Sequence, residues 1–366
     1  MAGNVTDYGL AGDLASLGTT VLTDMARQFE QFPGDPIAQL FPARNINDMT
    51  IVIERLKNGV GIAPIVNRGQ PDAITDSALV DRRIVQPVFV RESDFIPQDV
   101  INNLRQPGTL NEKVGLEFVA ERIRRLTDRN NHLWAVLRAQ ALLGGINYTD
   151  PRTGADINVN MQIPAGNLRS LLPLGGSRTW DNTAQSMPIS DLRRFKQYMY
   201  MTAKTNPTHM IMRSSLKLLL ELNKDIVTRV EGSGARNAAG FVEYANGEVS
   251  RIGGLQILIC DTKYDNPVSG ANEFVWPVNK VAVVAMSHEQ GGGEFVGQTV
   301  YAVGEDPMGR AGLWMRSGPD TSPPAPPGRS VQMGNCGLPF LKYPDWVGIL
   351  TVGNVADIDT AINTAI

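Results

Sequence analysis

The residues able to do covalent or metal chemistry are few and scattered. The chain holds three histidines, His132, His209 and His288, and two cysteines, Cys260 and Cys336. His288-Glu289-Gln290-Gly291-Gly292 lacks the second histidine that would complete a zinc pair one helical turn on. Neither His132 nor His209 has a ligand or triad partner at a recognisable spacing. The cysteine separation matches no zinc motif and no disulfide framework, so both read as free thiols of a reducing compartment. Gly291-Gly292-Gly293-Glu294-Phe295-Val296-Gly297 follows an apolar run ending at Met286, where a phosphate loop would sit. It carries no Gly-Lys-Ser/Thr and opens no clear helix, so a surface loop is the stronger reading. No Gly-x-Ser-x-Gly turn is present, and no two carboxylates stand out as an acid and base. The expectation is a chain with no catalytic, cofactor-binding or metal-binding residues. An α/β enzyme using the Gly291–Gly297 loop stands as a competing reading.

The elements that would position any site are more telling. Thr50-Ile51-Val52-Ile53-Glu54-Arg55-Leu56 and Ile84-Val85-Gln86-Pro87-Val88-Phe89-Val90 are rich in β-branched residues and read as two strands. Between them Lys57 to Arg83 is a Gly, Pro, Asp and Arg segment without a strong core pattern. A lone two-stranded arm is marginal in water, so this one is expected to lie on something else, above all another copy of the chain. A helix over about 110–143 follows. Thr109-Leu110-Asn111-Glu112 is a capping box. Apolar residues recur at Val114, Phe118, Val119, Ile123, Leu126, Leu133, Leu137 and Ala141, and Gly144-Gly145 supplies the stop. The polar face sets Arg122, Arg124, Arg125, Arg129 and Arg138 against Glu117, Glu121 and Asp128. It reads as a solvated face with local ion pairs, with a contact surface for an acidic neighbour or nucleic acid as the sharper alternative.

Size and charge narrow the class. With 366 residues the chain can bury a sizeable core in two or three domains. Its formal net charge of −3 lacks the basic excess of a free-standing nucleic-acid binder. The first residues show no signal-peptide pattern and no run approaches the length of a membrane span, so a soluble cytosolic product is expected. The Asn4-Val5-Thr6 and Asn147-Tyr148-Thr149 sequons are then chance matches.

Residues 1–47 read as an arm, with a short amphipathic piece over 21–32 and an apolar Ile37–Pro42 that must pack on the body or on a partner. Alternation at Ile157, Val159, Met161 and Ile163, after the turn chemistry of 150–154, predicts a second hairpin. A helix over Leu192–Lys204 with Ser190 as N-cap, a strand over Thr208–Met212, a helix over Ser214–Ile226, and strands over Gly254–Cys260 and Lys280–Met286 predict an α/β unit with a mixed sheet. Pro323-Pro324-Ala325-Pro326-Pro327-Gly328 reads as an extended, semi-rigid crossing, and strands are expected over Arg329–Met333 and Trp346–Val352.

Taken in order, several segments resemble the major capsid proteins of tailed bacteriophages, in particular the phage lambda capsid E family. Asp35-Pro36-Ile37-Ala38-Gln39-Leu40-Phe41 is similar to that family's apolar arm. Val60-Gly61-Ile62-Ala63-Pro64-Ile65-Val66 resembles the hydrophobic stretch of its extended loop. The long capped helix ending in Ala139-Gln140-Ala141-Leu142-Leu143-Gly144-Gly145 resembles its spine helix. Gly304-Glu305-Asp306-Pro307, Arg310 and Trp314 resemble its late region, and Gly337-Leu338-Pro339-Phe340-Leu341-Lys342-Tyr343-Pro344-Asp345 its closing signature. The likeness covers about residues 30–355, and it rests on order and spacing.

The resemblance implies an α+β, HK97-like capsid fold. Its parts would be an N-terminal arm over 1–47, an extended loop over 48–92, a peripheral domain over 93–180 with the spine helix, a mixed α/β axial domain over 181–328, and closing strands over 329–366. It implies self-assembly as hexamers and pentamers into an icosahedral shell around double-stranded DNA, in a virion assembled in the host cytoplasm. The partners would be further copies, a scaffolding protein, a portal and a decoration protein, without a membrane or a cofactor. Phe29, Phe32, Leu40, Phe41, Ile62, Ile65, Arg82 and Arg83, the last two at the far end of the loop, would be the contacts between subunits. Val119, Ile123, Leu126 and Leu133 would be the core of the spine helix. An encapsulin-like shell and a tail or adaptor protein are the alternatives. Lys57 is the loop's only lysine, which speaks against lysine crosslinking there.

Overall fold

A computed structural model describes residues 19–29, 35–57, 79–104, 110–150, 152–175, 178–203, 206–232, 242–245, 248–266, 270–285, 295–304, 306, 309–319 and 328–359. In chain order, helix α1 (Thr19–Phe29) precedes a short strand β1 (Ala43–Asn45) and the hairpin strands β2 (Ile51–Lys57) and β3 (Leu79–Val85). Strand β4 (Val88–Pro97) runs into α2 (Gln98–Leu104), and then comes the long helix α3 (Leu110–Leu142). A second hairpin, β5 (Gly145–Thr149) and β6 (Asp156–Asn160), leads to β7 (Leu168–Ser170) and α4 (Pro188–Ala203). The middle of the chain alternates: β8 (His209–Met212), α5 (Ser214–Glu221), α6 (Lys224–Gly232), β9 (Val242–Ala245), β10 (Glu248–Ile252) and β11 (Leu255–Ile259). After the small hairpin β12 (Lys263–Asp265) and β13 (Asn272–Phe274) come β14 (Lys280–Val284), β15 (Gly297–Tyr301), β16 (Trp314–Pro319), β17 (Gly328–Leu341) and β18 (Val347–Thr351).

Helix α3 has 33 residues, about 50 Å at about 1.5 Å per residue. No interior proline or glycine pair breaks it. It ends where Gly144 takes φ +110, a conformation that costs glycine little. The helix lies on a sheet whose central member is β17. Residues Gly328–Gly337 of β17 pair with Val88–Pro97 of β4 in unbroken antiparallel register, while β16 and then β15 pair along its other edge. Two glycines let neighbours approach this strand closely: a Cβ at Gly334 would fall 2.2 Å from the Trp314 ring, and one at Gly337 2.5 Å from the Val300 carbonyl oxygen of β15 and 3.2 Å from the Trp134 ring on α3. Leu126, Ile123 and Val119 of α3 are buried with Leu313, Met315, Val331 and Met333 at one end; Trp134 and Leu137 join Leu338 and Phe340 at the other.

A seven-stranded mixed sheet runs β7-β18-β14-β8-β11-β10-β9. In β14 alternate residues serve two cores, as the period-two geometry of a strand requires. Val281 and Val283 meet the helices α4, α5 and α6 through Leu192, Phe195, Leu219 and Ile226, while Ala282 and Val284 face the cluster shared with α3. Burial on both faces explains why β14 is a continuous apolar run.

Several expectations are corrected. The arm's return strand is Leu79–Val85 rather than Ile84–Val90: Pro87 has no N–H to give, and the chain beyond it leaves β2 and joins β17. Ser190 is not an N-cap, because α4 already begins at Pro188, a residue suited to the first turn. The helix expected over Ser214–Ile226 is broken at Asn223, which is buried and whose Oδ1 accepts the Asp225 N–H at 2.9 Å, restarting the chain as α6. The proline-rich segment over 323–327 lies outside the described residues, and Pro319 and Arg329 on either side of it are paired neighbours in one ladder. Strands β15 and β16, expected in an axial unit over 181–328, belong to the sheet beneath α3. The second hairpin, the β8, β11 and β14 strands and the closing strand β18 fall close to their expected places.

Candidate assembly surfaces

The segment before the hairpin is tied to its own subunit. Asp35 Oδ1 accepts the Ile37 N–H at 3.0 Å and its Oδ2 pairs with Arg138 of α3 at 2.9 Å. Arg138 also donates from Nε to Thr299 Oγ1 of β15 at 3.3 Å, so one guanidinium joins segment, helix and sheet. Leu40 and Phe41 are 0% and 2% exposed, and the Phe41 ring fills the space a side chain at Gly297 would need, 2.3 Å from its Cβ position. The expected contact role of Leu40 and Phe41 is therefore corrected. A side chain sealed inside its own subunit has no area left for a neighbour. Helix α1 is held likewise: Leu22 and Ala26 are buried, and Thr23 Oγ1 accepts the Met315 N–H at 3.0 Å and donates to the Met315 carbonyl at 3.2 Å.

The hairpin differs. Its register runs from Ile51↔Val85 to Lys57↔Leu79. Ile51 is buried and Ile53 and Val85 pack against the main core, whereas the cross-strand partners Val52 and Ile84 on the opposite face are 45% and 68% exposed. Met49 and Phe89 are exposed beside this base in sequence. Arg82 and Arg83 lie in β3 opposite Glu54 and Ile53, not at the far end of the loop, and Arg83 Nη1 donates to the Asn160 carbonyl of β6 at 2.7 Å. Phe29 closes α1, while Phe32, Ile62 and Ile65 lie outside the described residues. Val119, Ile123 and Leu126 are buried, and Leu133 is only partly so.

The start of α3 carries a second apolar surface. Leu110, Val114 and Leu116 are 77%, 52% and 38% exposed, although Val114 belongs to the stripe expected to be buried. Helical spacing does not say where along its stripe a helix is covered, so the exposure of Val114 was not legible from it. Val52 and Ile84 were within reach, since strict alternation in β2 puts Val52 opposite Ile51.

Farther along, β4 and α3 meet through charges. Asp94 pairs with Arg122 at 3.1 Å, and Glu92 with Arg129 at 2.7 Å and with Arg152 at 3.4 Å. Some of the helix arginines are thus partnered within the subunit. Of the groups considered for chemistry, His288 and residues 291–294 of the glycine-rich loop lie outside the described residues. Cys260 is buried, and burial followed by the nearby Asp35 charge pushes its thiol up to about 12, so it is protonated and a poor nucleophile at neutral pH. Cys336 is buried as well. His132 holds Nδ1 2.6 Å from the Asp128 carbonyl inside its own helix. Among the described residues no group of His, Cys, Asp and Glu could hold a metal ion.

One long helix laid on a β17-centred sheet, a mixed α/β sheet beside it and a hairpin with an uncovered apolar face define the HK97-like fold of phage shell subunits. The structure is similar to that of an Escherichia coli protein described as a prophage capsid protein, with TM-score 0.62 and 12% identity over 92% of this chain and 99% of that one. It is similar too to a phage-related protein of Bordetella bronchiseptica, with TM-score 0.55 and 14% identity over 91% and 97%. No curated protein matches the sequence. The sequence pattern of the family described as phage major capsid protein E matches residues 18–307, and the chain belongs to that family. It is a major capsid protein, a component of the virion that builds its shell from many copies.

Proposed function

We propose that the chain closes an icosahedral shell of hexamers and pentamers around double-stranded DNA, assembling in the host cytoplasm with a scaffolding protein, a portal and a decoration protein. The observation that carries this reading is the hairpin, whose Val52–Ile84 pair is left in water by its own subunit. Contacts repeated around a closed lattice sum strongly even when each is weak. In this reading the body under α3 is the peripheral domain and the seven-stranded sheet the axial one. The loop carrying Ile62 and Ile65 overlaps the next subunit, with Arg82, Arg83, Phe29 and Phe32 along the seam. A net charge of −3 suits a shell that must not grip its cargo.

Negative-stain microscopy of the purified protein tests the reading, with shells, rings of five or six, or tubes as the expected result. Replacing residues 58–78 by a two-residue turn keeps the Lys57↔Leu79 register closed. That variant should fold as before and form no closed shells. Normal particles from it, or a parent that stays monomeric with and without a scaffold, would sink the proposal.

A further inference from the structure

Strand β16 ends its sheet, since among the described residues β17 is the only strand that pairs with it. Along such a strand, peptide groups bonded to the neighbour alternate with groups turned outward. Thr23 of α1 fixes which are which. Its Oγ1 accepts the Met315 N–H at 3.0 Å and donates to the Met315 carbonyl at 3.2 Å. Residues 313, 315, 317 and 319 therefore turn their main-chain groups away from β17. Arg27 Nη2 donates to the outward Leu313 carbonyl at 3.4 Å. The two elements keep step, because four residues of helix advance about 6 Å and two residues of strand about 6.6 Å. One turn before Thr23 the same helix row reaches Thr19, level with Ser317. Pro319, at the last outward position, has no N–H to offer.

Beside this polar row a second one, Leu22 and Ala26, is buried in the cluster that holds Leu313, Met315, Val119 and Ile123. One row seats the helix and the other meets the edge. An uncovered sheet edge recruits strands from other chains, and a helix laid over it is one way to prevent this. We infer that α1 is an edge guard, a built-in contact that denies β16 to the β16 edge of a second copy. The Thr23 hydroxyl takes the place that a strand partner's peptide group would occupy. Symmetry names the excluded partner. Two copies of one edge are self-complementary and join antiparallel about a two-fold axis. With α1 unseated, Met315 of each copy exchanges hydrogen bonds with Ser317 of the other, in place of the contacts α1 makes. Arg316 then faces Arg316 at the centre. The guard does not depend on how the shell closes.

Variants of the full-length protein provide the test. Thr23→Val keeps the side chain's shape and removes its hydroxyl. The Met315 amide should then exchange hydrogen about tenfold faster. The Arg316 amide, turned toward β17, should keep its rate. Leu22→Asp unseats the helix itself. Either change, combined with Arg316→Cys, should give disulfide-linked dimers when oxidised glutathione is added. The central residues of such a pairing lie about 4.5 Å apart, within disulfide reach. Linking should run about tenfold faster than in Arg316→Cys alone, following the opening of the edge. Cys260 and Cys336 are buried and stay out of the reaction. Because variants are compared with one another, the contrast holds whether or not shells form. Should Leu22→Asp fail to fold, Thr23→Val decides. A Met315 rate that is unchanged, or that rises equally at Arg316, overturns the guard. So does linking that is as fast with the helix intact, or that is absent with it unseated.

Discussion

Two neighbouring stretches, Asp35–Asn45 and the hairpin that starts at Ile51, carry similar apolar sequences and end in opposite situations. In the first, Ile37, Leu40 and Phe41 are sealed in the core and an ion pair to Arg138 fixes the backbone. In the second, Ile51 is buried while Val52 and Ile84 stay in water. Apolar character alone does not separate a segment that completes its own subunit from one that offers area to another. What separates them is a buried polar anchor and the pattern of burial: Ile37, Leu40 and Phe41 are all sealed in the first, whereas in β2 the buried Ile51 is followed by the exposed Val52.

Breaking the anchor should have the largest effect. Asp35→Ala leaves Arg138 half-sunk without its carboxylate and should cost about 3–5 kcal/mol, measured as a shift in the denaturant midpoint. If stability is unchanged, the segment is not clamped and the contrast fails. Next, Gly297→Ala drives a methyl into the Phe41 ring and should cost about 1–3 kcal/mol, seen as a lowered melting temperature; a neutral result would mean the ring moves freely. A smaller loss, about 0.5–1.5 kcal/mol, is expected from Arg83→Ala, which removes the tie to Asn160. Faster amide exchange confined to β2 and β3 would confirm that this tie sets the hairpin on the body. Smallest for the subunit is Ile84→Asp, within about 0.5 kcal/mol for an exposed site, yet the variant should fail to form shells under the microscope. Normal shells from it would remove the assembly role from this face.

How much of this was legible in the sequence depended on whether local signals and tertiary demands agreed. Helix α3 was, because its spacing and the Gly144 stop speak for one structure. Strand β17 mostly was not. The expected strand stopped at Met333, whereas β17 runs on to Leu341 through Gly334, Gly337 and Pro339, and the two glycines leave room for close neighbours, the Trp314 ring at one and the Val300 carbonyl at the other. Strand β3 was displaced toward Ile84–Val90 because β-branched content outweighed the proline that divides the run. The family likeness, carried by the arm, spine and closing segments, was legible and stands. The surface residues were partly misassigned, since Leu40 and Phe41 look the same on paper whether they complete one subunit or two. The bulge in β10 rests on one inserted residue, Ser250, which no composition or periodicity marks.

Strand β4 begins three residues after the hairpin's return strand ends and is paired along its whole length with β17. A neighbour that tugs on the hairpin along this direction therefore strains the β4–β17 ladder in shear. Its hydrogen bonds must yield together instead of opening one after another from an end. Tension arriving at an overlap would be spread through the sheet beneath the long helix before any single contact gives way. The hairpin is thus rooted in a ten-pair ladder of the sheet beneath the long helix.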